Sequence, residues 1–320
     1  MRFLVAGAGA MGSMFGGLLA EAGHSVTLAD IDRRHLDAVR ERGLRMRVSP
    51  REERCVHVST CRLPDERPDF ADAILVMCKT WANADLAPLL IPALHSETVI
   101  VSLQNGLGAA DSLSSALPIG RIFPGTTTAG AHKPQPGVVD LSPITASGAS
   151  VSQLAKPHDS SGFHPNIKRF MEALTSAGLP CQMPNDAQAV IWKKVALAAT
   201  AGPTTALLRC TVAEMVTSSE AMNLWNSLFD EVIEVAHALG VELDRTQLRK
   251  DALETYAAVG HHHTSMADDV ANGRRTEIDA FCGEIVRLAN LVGVAAPTHR
   301  ILRDVISAID EVGRTNDENH

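Results

Sequence analysis

A complete G-x-G-x-x-G, Gly7-Ala8-Gly9-Ala10-Met11-Gly12, follows directly on Arg2–Ala6, a run apolar after its first residue that reads as a short buried strand. Ser13–Ala22 can form a helix, Gly23-His24 stops it, and Ser25–Ala29 is a second strand ending at Asp30. Strand, glycine turn, helix, strand and acid in that order specify a βαβ unit that binds a dinucleotide. Gly7 allows the sharp turn and Gly9 admits the pyrophosphate to the backbone. Gly12 lets the helix lie close on the strand, with its N-terminal N–H groups towards the phosphates. The candidate cofactor residues are therefore Gly7, Gly9, Ala10, Met11, Gly12 and Asp30. The same segment imitates a signal peptide, with Arg2 ahead of a weakly polar run and Ala20-Glu21-Ala22 behind it. Five glycines interrupt that run, and removing it would leave Val26–Ala29 without a neighbouring strand. It reads as part of the fold.

Two further buried strands follow, each with a polar residue at its end. Ala73–Cys78 runs directly into Lys79, and Val99–Leu103 into Gln104-Asn105-Gly106. Strands alternating with helical segments give an α/β fold: an N-terminal Rossmann domain with a doubly wound parallel sheet. In such sheets ligands gather at the carboxyl ends of the strands. Lys79 and Asn105 stand at two of those ends, on the edge that carries the glycine turn. Each alone reads as a polar loop residue; together they are candidate site residues. Arg45–Leu63 reads as mixed edge-strand material, with Arg45, Arg47, Arg51 and Arg54 solvated. Gly125–Val139 reads as a β-meander closing the domain and Ser147–His164 as a loop. Ile167–Ala177 is then a helix, and Pro180–Met183 a last strand.

From Asn185 the periodicity becomes helical, over 186–200, 212–239, 244–258, 274–292 and 297–312. Pro184-Asn185-Asp186 serves as linker and N-cap, so the domains are 1–184 and 185–320. The chain of 320 residues, 45% hydrophobic and 21% charged, suffices for two cores. Its net charge of −8 argues against a nucleic-acid or anionic-membrane partner. No later run reaches membrane-spanning length, and six scattered cysteines without C-x-x-C read as free thiols in a reducing cytosol. His261-His262-His263 point different ways on any regular element and read as a loop, so no metal site is expected. The tail Gly313–His320 is polar and expected to fray.

Ala189–Leu207 is nearly uncharged and mostly helical, with Lys193 and Lys194 near its start. A helix apolar all round is buried. The two lysines project about 100° apart, so both are not expected to reach water. A desolvated lysine has its pKa pushed down towards the range of acid–base work. Glu277 opens an amphipathic helix, where helix-dipole reasons alone would welcome a carboxylate.

These stretches, taken together, resemble the ketopantoate reductase family (2-dehydropantoate 2-reductases and related 2-hydroxyacid dehydrogenases). The resemblance runs from GAGAMG to about residue 310. It rests on Lys79, Leu103–Gly106 (LQNG), Pro136–Val138, Trp192-Lys193-Lys194, Ser265-Met266, Asp269 and Gly273–Asp279 (GRRTEID). The family implies a Rossmann domain followed by an all-helical domain, an active site in the cleft, and the reduction of ketopantoate in pantothenate biosynthesis. By the resemblance, Lys194 is the general acid that protonates the ketone oxygen while hydride from the nicotinamide attacks the carbonyl carbon. Glu277 positions substrate and Lys194, Ser265 hydrogen-bonds substrate, and Asn105 and Lys79 lie near nicotinamide and substrate.

The sequence departs from that pattern in two respects. The family usually carries asparagines four and eight residues after the lysine, where this chain has Ala198 and Gly202, and a third near Val212. Losing three amides predicts a roomier, more apolar substrate pocket lined by Ala198 and Gly202, with Pro203 distorting the helix beyond. NADPH-using members tend to place a basic residue at the end of the second strand; here Asp30-Ile31 stand there. A carboxylate at that position favours NAD(H), with NADP(H) open through Arg33 or Arg34. The expectation is a cytoplasmic reductase of a small 2-oxo acid, either ketopantoate or, as a broader D-2-hydroxyacid dehydrogenase, a bulkier apolar acid. Dimerisation through the helical half is left open. A cofactor-binding sensor without turnover is the rival of another class, and it has no need of both Lys194 and Glu277.

Overall fold

The computed structural model describes residues 1–49, 51–157 and 164–317, with side chains described to Gly313 in the last helix. The chain divides into two compact units. One is Met1–Gln104 with Ala109–Ala187; the other is Asn105–Gly108 with the residues from Gln188 onward.

The first unit opens with β1 (Arg2–Ala6), α1 (Ala10–Glu21), β2 (Ser25–Asp30), α2 (Arg33–Arg42), β3 (Leu44–Ser49), β4 (Glu52–Val56) and β5 (Ser59–Arg62). Next come β6 (Ala73–Val76), α3 (Asn83–Leu90), β7 (Val99–Ser102), α4 (Ala109–Leu113) and β8 (Ile122–Thr127). β9 (Ala131–Gln135), β10 (Val138–Leu141), α5 (Pro143–Ala146), β11 (Ser152–Leu154), α6 (Pro165–Ser176) and β12 (Cys181–Gln182) complete it. The main sheet has the order β12-β11-β8-β7-β6-β1-β2-β5, parallel from β8 to β5, with β11 antiparallel to β8. This is the expected doubly wound sheet. Its central strands β1, β6 and β7 are nearly all apolar because both of their faces are covered. Phe3 and Val5 join Phe15 and Phe170 on one face, while Leu4 and Ala6 join Leu90 and Ile100 on the other. The segment that imitates a signal peptide thus supplies a central strand, β1, hydrogen-bonded to β2 and β6.

Three expectations need correction here. Gly125–Val139 is not one meander: β8 belongs to the main sheet, whereas β9 and β10 form a hairpin in a second sheet of order β4-β3-β10-β9. Arg45–Leu63 gives β3 and β4 to that second sheet and β5 to the edge of the main one. Its arginines are not merely solvated, since Arg47 meets Glu53 at 3.1 Å, Arg45 the same carboxylate at 3.5 Å, and Arg54 Glu52 at 2.6 Å. Arg51 is exposed. Ser147–His164 contains β11, and its residues 158–163 lie outside the described ones. The second sheet lies against α1, where a side chain at Gly17 would run into Met46 and Leu44 of β3.

The second unit is helical: α7 (Ala187–Leu208), α8 (Val212–Thr217), α9 (Ser219–Ala238), α10 (Arg245–Val259), α11 (Ser265–Ala271), α12 (Glu284–Val292) and α13 (Pro297–Asp317). A single π-helical turn, Asp279–Gly283, precedes α12. α7 runs past its expected end and continues through Pro203 rather than breaking there, because burial along its length outweighs the lost backbone bond. The expected helix 212–239 breaks at Ser218, whose side chain caps α9 by accepting the Ala221 N–H at 3.2 Å. The expected helix 274–292 starts late. Asp310 of α13 takes the Thr276 N–H at 3.0 Å and its hydroxyl at 2.8 Å, holding residues 274–277 out of helix. α13 extends to Asp317 where fraying was expected, and residues 318–320 lie outside the described ones. Among the described residues, no helix is long and apolar enough to cross a membrane.

Candidate active site

The glycine turn sits at the carboxyl end of β1. Gly7 adopts φ +98 and abuts the Cys78 backbone, where any side chain would collide. A Cβ on Gly12 would run into the Gly7 carbonyl oxygen. Beside Gly9 the space is open, with nothing within 4 Å of a built Cβ, and Gly9 offers no side-chain cap to α1, which begins at Ala10. Open space against unsatisfied helix N–H groups fits a dinucleotide pyrophosphate. Met11 continues that first turn of α1.

Asp30 ends β2, and its carboxylate accepts backbone N–H groups from Ala8, Ile31 (2.7 Å) and Asp32 (2.9 Å). It therefore holds the glycine turn in shape and keeps acceptor capacity for ribose hydroxyls. Two of the nearby cations have partners: Arg33 pairs with Asp65 at 2.8 Å and Lys133 with Asp32 at 2.9 Å, while Arg34 is exposed on α2. Ile31 is exposed.

The sequence did not single out two polar networks that support these positions. His35 is fully buried on α2, accepts the Gly137 N–H at Nδ1 (3.1 Å), and lies 2.9 Å from the Ser13 hydroxyl, which donates to the Ala8 carbonyl at 2.9 Å. Burial, then the charge of Lys133, pushes the imidazole down to about 4, so it is neutral, with Nε2–H the donor to Ser13. The second network joins the ends of β6 and β7. Gln104 donates from Nε2 to the Cys78 carbonyl (2.9 Å) and to Asn83 Oδ1 (2.7 Å), and accepts from the Ser102 hydroxyl (2.9 Å). It fixes the loop bearing Lys79, which is partly buried at the start of a 3-10 turn. The LQNG run pointed to that neighbourhood, but to Asn105 rather than Gln104.

In the helical unit, Lys193 is exposed and Lys194 partly buried. Lys194 Nζ donates to Asn105 Oδ1 at 3.1 Å. Dense surroundings push the ammonium down to about 8, and the charge of Glu277, itself buried, opposes that drop. Lys194, Asn105 and Glu277 thus form one electrostatic group. α7 is fixed from another side by Tyr256, whose hydroxyl donates to the Leu197 carbonyl (2.9 Å) and accepts from Trp225 Nε1 (3.1 Å). Ala198 and Gly202 follow Lys194 on its face of α7. A Cβ on Gly202 would sit 3.8 Å from Met266 of α11, an ordinary contact, and Thr205 reaches Thr264 at 2.8 Å. Ser265 is the exposed first residue of α11. Val212 is buried at the start of α8, and His261-His262-His263 form an exposed turn.

The glycine turn of the first unit can hold a dinucleotide on a helix N-terminus, and, within the second unit, Lys194 can present an easily deprotonated ammonium to an oxygen. A family model described as "Ketopantoate reductase PanE/ApbA" matches residues 3–148, and a second, for the C-terminal part of the same family, matches residues 186–310. A 2-dehydropantoate 2-reductase of Streptococcus pyogenes is 28% identical over 313 residues, covering 98% of this chain and 99% of that protein. The ternary structure of D-mandelate dehydrogenase with NADH and anilino(oxo)acetate superposes with a TM-score of 0.89 at 26% identity, over 98% of this chain and 99% of that one. A 2-dehydropantoate 2-reductase from Geobacter metallireducens gives 0.86 at 27% identity, over 96% and 99%.

Proposed function

The chain belongs to the ketopantoate reductase family of nicotinamide-dependent oxidoreductases, and from that premise we propose that it reduces 2-oxo acids with bulky apolar side chains, preferring NADH. The observation that carries the reading is the Lys194–Asn105–Glu277 group beside an apolar stretch of α7. Gly7, Gly9, Gly12 and Asp30 hold the cofactor, which when bound supplies a hydride to the carbonyl carbon. Lys194 donates a hydrogen bond to the carbonyl oxygen and then its proton, so the developing alkoxide meets a cation and an acid at once. Glu277 keeps Lys194 charged. Asn105 accepts from the ammonium through Oδ1, and its NH2 is left to bind a substrate oxygen. Ser265 adds a hydroxyl at the start of α11.

The apolar side-chain preference rests on Ala198, Gly202 and Met266. A substrate hydroxyl buried there without a partner costs about 1–3 kcal/mol, whereas a phenyl or branched aliphatic group gains from burial. The likeness to D-mandelate dehydrogenase bound to an aromatic oxo acid derivative supports this side of the family. The NADH preference rests on Asp30 and on Arg33 and Lys133 being paired elsewhere. A reducing compartment such as the cytosol suits six free cysteines.

The test is NADH and NADPH oxidation by the purified protein against a panel of 2-oxo acids. Phenylglyoxylate and branched aliphatic 2-oxo acids should be reduced at least as well as ketopantoate. Strong selectivity for ketopantoate would overturn the apolar-pocket reading, and cofactor binding without turnover of any 2-oxo acid would favour a sensor.

A further inference from the structure

Asn105–Gly108 follows the Rossmann strand β7 after only Leu103 and Gln104, yet it packs with the helical unit. Its anchorage there is backbone on backbone. The Leu107 N–H donates to the Ala280 carbonyl at 2.9 Å, and Ala280 lies within the π-turn Asp279–Gly283. Gly106, at φ +84, touches that same peptide so closely that a Cβ would run into the Ala280 oxygen. Gly108, at φ +74, faces instead the carboxylate end of the Glu284 side chain. Glu277 immediately precedes the helical residues leading into this turn, and its own carbonyl accepts the Ala280 N–H at 2.9 Å. One short stretch of backbone therefore carries Glu277 and receives the loop bearing Asn105.

We propose that the π-turn is a positioning device for the proton donor: Ala280, reached by Leu107 because residue 106 lacks a side chain, fixes Asn105 against Lys194 on the same support as Glu277. π-Turns widen a helix locally and redirect its carbonyls, and they recur at functional sites. A displacement of about 1 Å at a reacting group can lower a rate about a hundredfold, so a rigid seam beside the acid has a kinetic consequence. Gly106 and Ala280 are positioning residues, since neither need touch substrate. The inference rests on the reading of Lys194 as the acid, and its test separates the two.

Gly106→Ala and Gly108→Ala both place a side chain at a left-handed φ and so share that strain. They differ in what the new methyl group meets: backbone at 106, the flexible end of Glu284 at 108. In the full-length protein, we would measure kcat, KM for the 2-oxo acid, Kd for NADH, Tm, and the pH dependence of Lys194 acylation by mass spectrometry. The last readout needs no turnover. Gly106→Ala should lower kcat about fiftyfold or more while the NADH Kd stays within about twofold. Its Lys194 should be acylated at lower pH than in the unmodified protein, because the ammonium has lost an acceptor. Gly108→Ala should keep the unmodified labelling profile and most of its kcat. Should Gly106→Ala fail to fold, Leu107→Pro, which removes the donor N–H, carries the same expectation. Equal losses in the 106 and 108 variants, or a Gly106→Ala loss with unchanged Lys194 labelling, would overturn the proposal. An unmodified protein inactive on every 2-oxo acid would defeat the functional reading alone, since the labelling comparison still decides the positioning.

Discussion

Raising the pH through 8 should switch off reduction, and the reason lies in the surroundings of Lys194. Burial brings its pKa from 10.5 to about 8, a bias of about 3 kcal/mol against the ammonium. With that value, about nine-tenths of the molecules hold the proton at pH 7 and about one-tenth at pH 9, whereas an ordinary lysine stays almost fully charged at pH 9. If Lys194 is the acid, kcat/KM for reduction falls about tenfold per pH unit above 8, and kcat/KM for oxidation of the hydroxy acid rises up to that point. Glu277 works against the drop, so Glu277→Gln should move the limb to lower pH. The assay is initial-rate nicotinamide absorbance from pH 6 to 11 at constant ionic strength, because salt would screen the Glu277 charge. A reduction rate that stays flat to pH 10 would refute the assignment of Lys194 as a desolvated acid. An unmoved limb in Glu277→Gln would remove Glu277 from the coupling.

Other perturbations probe separate parts of the account. A 2′-phosphate beside the Asp30 carboxylate is a like-charge contact worth about 1–3 kcal/mol, so kcat/KM should favour NADH over NADPH about tenfold or more; parity would mean that Arg34 reaches the phosphate or that Arg33 leaves Asp65 for it. Ala198→Asn should shift the kcat/KM ratio towards ketopantoate and away from phenylglyoxylate, and an unchanged ratio would take Ala198 out of the pocket. Tyr256→Phe leaves the buried Trp225 N–H without its acceptor and should lower stability by about 1–3 kcal/mol in urea unfolding, with the pH limb of Lys194 unmoved.

The parallel sheet was legible because every one of its signals is local. Phe3–Ala6, Ala73–Val76 and Val99–Val101 are apolar without alternation, as strands covered on both faces are, and Gly7–Gly12 follows the first of them with the pattern of a strand-to-helix turn. The second sheet was less legible, since β3 and β10 pair across a long stretch of sequence and their burial depends on Gly17 clearing room on α1. Helix boundaries at Ser218 and Glu277 turned on a side-chain cap and on the distant Asp310, neither of which a hydrophobic period records. Lys193 and Lys194 are adjacent and chemically alike. The sequence could say that both do not reach water easily, while only the rotation of α7 decides which one does. The π-turn left no trace in the periodicity, because its extra residue is absorbed between Glu277 and α12.

The central claim is that Lys194 delivers the proton to a 2-oxo acid. Single-substitution kinetics on Lys194→Ala and Lys193→Ala, with the best 2-oxo acid from the panel and NADH binding followed by fluorescence, test it most directly. Lys194→Ala should lose on the order of 10²–10⁴ in kcat, the usual worth of a general acid, while binding NADH normally, and Lys193→Ala should stay close to the unmodified enzyme. A Lys194→Ala enzyme that turns over at the unmodified rate, or a loss that falls on Lys193→Ala instead, would contradict it.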